Sequence, residues 1–132
     1  MKRHRLKTSL VGLAAALSLT ACTNVIGPAN QLEVSNVPGT FEWQVTALDN
    51  VTQTLTYAWT NPGTTANVNQ SSSLSGGTAT VVVRDASNVQ VYSRSLSENG
   101  TFTTLAGTTG TWTVVVTLDG AHGTLNFRLD TP

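Results

Sequence analysis

Residues Phe41 to Ala47 read Phe-Glu-Trp-Gln-Val-Thr-Ala. Apolar Phe41, Trp43, Val45 and Ala47 alternate with polar Glu42, Gln44 and Thr46. A period of two puts successive side chains on opposite faces, which is the mark of a half-buried strand. The same alternation recurs along the chain. Leu55, Tyr57 and Trp59 alternate with Thr54, Thr56, Ala58 and Thr60. Trp112, Val114, Val116 and Leu118 alternate mostly with threonine. Leu125, Phe127 and Leu129 alternate with Asn126, Arg128 and Asp130. Ala79, Val81 and Val83 share a face, and Val89 to Leu96 forms a further apolar run. No helical period is found after residue 22.

Turn residues separate these runs. Pro38-Gly39 ends a first edge strand at Leu32–Val34, Asp49-Asn50 supplies the next turn, and Asn61-Pro62-Gly63 suits a type II turn. Asn99-Gly100 fits a type I′ hairpin, which would fold Thr101–Leu105 back on the preceding strand. Residues 66–73 read as a weak strand at a sheet edge. Seven or eight short strands, about ten residues apart, predict an all-β, antiparallel two-sheet sandwich over residues 32–132. This pattern resembles the immunoglobulin and fibronectin type III sandwiches in broad architecture, with a strand tryptophan near the middle (Trp59 or Trp43). The immunoglobulin cysteine pair is absent.

The amino terminus has a different composition. Met1–Lys7 carries Lys2, Arg3, Arg5 and Lys7, four of the seven basic residues in the chain. An uncharged run, Leu10–Ala21, follows. A basic start, a short apolar run and small residues before a cleavage point make a secretory signal peptide. The run is too short for a permanent span, which takes about 20 apolar residues. Leu19-Thr20-Ala21-Cys22 resembles the processing box of bacterial lipoproteins, and Cys22 is the only cysteine in the chain. The resemblance implies cleavage between Ala21 and Cys22, a thioether-linked diacylglycerol on the Cys22 sulfur and a palmitate-type chain on the new amino terminus. Each buried methylene contributes about 0.8 kcal/mol, so two or three chains anchor permanently. In that family an Asp directly after the cysteine often marks inner-membrane retention. Thr23 stands there, so a host with two membranes would carry the protein on its outer one. Residues 22–31, including Gly27-Pro28, read as a flexible tether. Extended, its nine residues after Cys22 would lift the domain by some 30 Å.

The chain after Ala21 holds 111 of the 132 residues, enough for one domain. It keeps three arginines, no lysine and seven carboxylates, a net charge of −4. Phosphate recognition needs clustered Lys and Arg, so nucleic acid is excluded as a partner. No cofactor is implied. With one acylated cysteine and one histidine left, His122, a zinc site is not expected. Asp49, Asp85 and Asp119 lie in predicted turns without the EF-hand spacing that calcium would favour. A small hydrolase would have to be centred on His122, the lone available base. Phe41, Trp43, Tyr57, Trp59, Trp112 and Phe127 are expected in the core. Tyr92 falls out of phase with Val89 and Val91, and Phe102 lies beside the Asn99-Gly100 turn; these two are the candidate exposed ligand contacts, suited to a sugar ring or a protein partner. The expected function is a lipid-anchored envelope lipoprotein presenting a non-enzymatic binding or structural module to an envelope protein or a glycan. A carbohydrate-binding or adhesive module is the alternative.

Overall fold

Seven antiparallel strands make up residues 24–132 in the computed structural model, which describes those residues. They are β1 (Glu33–Val37), β2 (Thr40–Asn61), β3 (Asn67–Gln70), β4 (Ser73–Arg84), β5 (Gln90–Ser95), β6 (Gly100–Thr103) and β7 (Gly110–Asp130). The expected signal peptide, Ala21/Cys22 cleavage point and Cys22 acylation site lie outside the described residues. The fold is all-β and antiparallel, as the alternation predicts.

Two of the strands are much longer than the predicted runs. The alternation beginning at Phe41 does not stop at Asp49-Asn50. β2 continues to Asn61, and β7 pairs with it from Thr40↔Asp130 to Asn61↔Gly110. The two predicted turns are instead facing bends in one long ribbon. The register slips between Val45, Leu48, Val51 and Gln53. Ala47 and Asn50 take positive φ (52° and 54°), as do Gly120 and Gly123 opposite (59° and 123°). Such bulges kink a strand and increase its twist, folding the ribbon over on itself.

The fold-over makes two layers. One holds β1, residues 40–45 of β2, residues 125–130 of β7, β3 and β6. The other holds residues 53–61 of β2, residues 110–118 of β7, β4 and β5. Between them lie the inward phases of the strands. Trp43 stacks on its cross-strand partner Phe127 with ring centres 5.5 Å apart, and Trp59 meets Trp112 edge-on at 5.9 Å. Phe41 of one layer reaches Tyr57 of the other at 5.3 Å. Every indole N–H has an acceptor: Trp43 donates to the Tyr57 hydroxyl (2.8 Å), Trp59 to the Val37 carbonyl (3.1 Å) and Trp112 to the Thr108 carbonyl (2.7 Å). Such satisfaction is what buried tryptophan requires.

Several local expectations are corrected. β3, read as an edge strand, is interior, between β7 and β6. Asn99-Gly100 makes no hairpin with β5, because β6 crosses to the other layer and pairs with β3. The Asn99 side chain instead grips Ser72, next to β4, accepting from its N–H (2.7 Å) and donating to its carbonyl (2.9 Å). At Asn61-Pro62-Gly63 the side chain makes the turn: Asn61 Oδ1 accepts from the Gly63 N–H at 2.8 Å, an Asx turn.

The expected tether is also corrected, from Asn24 onward. Asn24 forms a parallel bridge with Val51, donating its N–H to Asn50 (3.0 Å) and accepting from Thr52 (2.9 Å). The Ile26 N–H donates to Gln53 Oε1 at 2.8 Å, and the Ile26 side chain packs against the core. A single 3₁₀ turn, Pro28–Asn30, brings the buried Asn30 amide against β2, donating to the carbonyls of Thr46 (3.1 Å) and Ala47 (2.9 Å). The register with β7 skips these two residues at the bend. Backbone carbonyls need partners, so the bend itself creates the dock for the segment.

Candidate functional site

The outward phases of the two layers differ in chemistry. On the four-stranded layer they are Thr54, Thr56, Ala58 and Thr60, Thr111, Thr113, Val115 and Thr117, Thr80 and Val82, with Arg84 at one end. On the five-stranded layer they are long and polar. One row across the strands runs Ser35, Glu42, Arg128, Asn69 and Thr101. The next holds Glu33, Gln44 and Asn126. A third holds Thr40, Asp130, Asn67 and Thr103. This face carries a groove of about 300 Å³, its floor formed by the strand backbone at Trp43 and Phe127, whose side chains turn into the core.

Hydrogen bonds and one ion pair hold the amide, threonine and arginine side chains of these rows in place. Asn126 donates to Gln44 Oε1 at 2.9 Å, and Asn69 donates to the Thr101 hydroxyl at 3.1 Å. Arg128 Nε lies 3.0 Å from Asp130, whose other oxygen accepts from Thr40 at 3.3 Å. Glu33 and Glu42 are exposed, so three carboxylates and one guanidinium line the face. It offers fixed donors and acceptors at strand spacing, about 4.8 Å apart across the sheet.

The predicted ligand aromatics are elsewhere and covered. Tyr92 is only 7% exposed. A bulge in β5 at Val91, where the register passes from Val83↔Tyr92 to Arg84↔Gln90, turns both Val91 and Tyr92 inward. The Tyr92 hydroxyl donates to Gln70 Oε1 at 2.8 Å, and Gln70 Nε2 donates to the carbonyls of Ser95 (2.9 Å) and Glu98 (2.6 Å). Gln70 thereby ties β3 of one layer to β5 of the other. Burial pushes the Tyr92 hydroxyl's pKa above its ordinary value. Phe102 is half-buried beneath the Arg94 guanidinium, 3.8 Å from its ring centre. Arg94 also pairs with Glu98 at 2.9 Å.

The three aspartates expected in turns do not converge. Asp85 is buried at the far end of β4, accepting from the N–H groups of Thr108 (2.8 Å), Val89 (2.9 Å) and Ser87 (2.9 Å). Those amides, Thr108 first, hold its carboxyl below the usual carboxylate range. Asp49 and Asp119 lie at the opposite end, by the bends. Among the described residues no three His, Cys, Asp or Glu side chains are grouped as a metal site requires. His122 sits at the same end, with Nδ1 3.4 Å from Asp49 and its ring over Gly76. No serine or threonine among the described residues hydrogen-bonds to it, so His122 is placed as half of a surface pair. No helix among the described residues is long and apolar enough to cross a membrane. The chain matches no protein-family model and no curated protein.

Sequence reasoning missed the groove and Gln70. The signal for the groove was present: the outward residues around Phe41–Val45 and Leu125–Leu129 are Glu, Gln, Asn and Arg, where other strands offer Thr and Ala.

Proposed function

We propose that the protein is a lipid-anchored lipoprotein of a bacterial cell envelope, whose sandwich binds a partner without catalysis through the polar face of its five-stranded layer. The basic start, the apolar run and Leu19-Thr20-Ala21-Cys22 support the anchor. The groove lined by Glu33, Glu42, Gln44, Asn69, Asn126 and Arg128 is the observation that carries the binding role. Cross-strand hydrogen bonds and the Arg128–Asp130 pair order Gln44, Asn69, Asn126 and Arg128 before any partner arrives, which lowers the cost of association. The partner in this reading is an envelope protein whose surface complements three carboxylates and one arginine.

Crosslinking in native membranes tests it. A photo-crosslinker at Gln44 should capture one discrete partner, and Glu42→Lys together with Arg128→Glu should abolish the capture. Capture that survives the double variant, or occurs equally from Thr56 on the other layer, would remove the groove from the function. Cys22→Ser should move the protein out of the membrane fraction.

A carbohydrate reading has one observation in its favour. Planar amides and carboxylates at fixed spacing suit the paired hydroxyls of a sugar. The burial of Tyr92 and the covering of Phe102 remove the expected stacking platforms. Binding on a glycan panel that Glu42→Lys abolishes would favour this reading over a protein partner.

A further inference from the structure

The docked segment decides how the domain would sit on a bilayer. Asn24 is held at the bend by three hydrogen bonds, to Asn50 and Thr52 through its backbone and to the Asp49 carbonyl through its amide (2.7 Å). Two peptide units separate it from Cys22, a span of at most about 7 Å. A free tether would have allowed some 30 Å. We propose that the bend end of the sandwich rests directly on the lipid surface, with the long strands standing away from it. This rests on the lipoprotein reading of Cys22.

The chemistry of that end fits contact with lipid headgroups. A shallow hollow there is lined by Asn24, Val25, Pro28, Ala29, Ala47 and Asp49. Val25 is 66% exposed, and Pro28, Ala29 and Ala47 are exposed beside it. This small apolar patch sits where the chain leaves for its anchor. None of the three arginines of the described residues lies at this end: Arg84 closes β4 at the far end, Arg94 covers Phe102, and Arg128 is in the groove. Asp49 and Asp119 are exposed there. Charge therefore does not draw this end to an anionic leaflet, and the covalent anchor, with this small apolar patch, holds it down.

Two consequences follow from the geometry. Residues 53–61 at about 3.3 Å each put the opposite end, with Thr64 and Ser87, roughly 30 Å from the lipid. The polar groove faces sideways, open to a partner in or beside the same membrane.

Site-directed fluorescence tests the orientation. Acylation consumes the Cys22 thiol, so a single introduced cysteine is the one group available for labelling. Full-length protein carrying Ala29→Cys, Asp119→Cys or Thr64→Cys is expressed with its lipid, labelled and placed in phosphatidylcholine vesicles containing a headgroup-linked nitroxide quencher. Intact mass on the same samples reports whether Cys22 is acylated. The labels at positions 29 and 119 should be strongly quenched, and the label at 64 should stay as bright as in quencher-free vesicles. Adding Asn30→Ala should release the dock and weaken quenching at 119 with Cys22 still acylated. Equal quenching at all three sites, or strongest quenching at 64, on acylated protein overturns the orientation. A free thiol at Cys22 overturns the lipoprotein reading and the orientation with it.

Discussion

Asn30→Ala isolates the dock that separates a close-set domain from one on a stalk. The Asn30 side chain makes three hydrogen bonds: to the carbonyls of Thr46 and Ala47, and from the Gly27 N–H (2.9 Å). Each such bond contributes about 1 kcal/mol net. Once the segment lifts, water reaches the freed carbonyls and offsets part of the loss. The variant should therefore lose about 2–3 kcal/mol of local stability, which speeds local opening roughly 30- to 150-fold. Native-state hydrogen exchange reads this at two amides, Ile26, which donates to Gln53, and Thr52, which donates to Asn24. Core amides such as Val81 and Val116 exchange through global unfolding and should change far less. The reasoning is refuted if Ile26 and Thr52 exchange in the variant within about twofold of the wild-type rate, because the hydrogen bonds would then not be holding the segment.

Three further outcomes are expected. The raised pKa of Tyr92 means its neutral form is favoured in the folded state. The corresponding stability is fully present below pH about 10 and lost as pH rises through the folded value, so Tyr92→Phe should flatten the alkaline limb of a stability–pH curve and cost about 1 kcal/mol at neutral pH. Asp85 works in the opposite sense: its contribution is present above pH about 4 and is lost as pH falls through its lowered folded value, and Asp85→Asn should flatten the acid limb in denaturant titrations. Gly77 has φ +71°, and a Cβ there would lie 2.1 Å from the Gly120 carbonyl oxygen, so Gly77→Ala should lower stability by at least about 2 kcal/mol and shift the thermal midpoint down.

Much of the fold was legible because period-two alternation survives wherever one face is buried. Phe41, Trp43, Trp59, Trp112 and Phe127 are in the core as their phase requires. Asp49-Asn50 and Asp119–Gly123 read as turns because they carry turn chemistry. Positive φ at Asn50, Gly120 and Gly123 uses that same chemistry to kink a continuous strand. Tyr92 was misplaced because one bulge residue inverts the phase of everything on its far side. Asn99-Gly100 misled because Asn99 spends its amide on Ser72, a long-range contact that no local pattern announces. The dock of residues 24–30 depends on carbonyls left unpaired by the bend, and so was hidden along with it. Asn30 and Gln70 are buried polar residues whose partners on β2 and β5 lie at least 16 and 22 positions away.

The most direct measurement of the account is the intact mass of the protein purified from the membranes of its native host. The expected mass is that of a chain beginning at Cys22, heavier than its amino acids by a diacylglyceryl group and a further acyl chain. A chain still carrying residues 1–21, or a Cys22 with a free thiol, would contradict it.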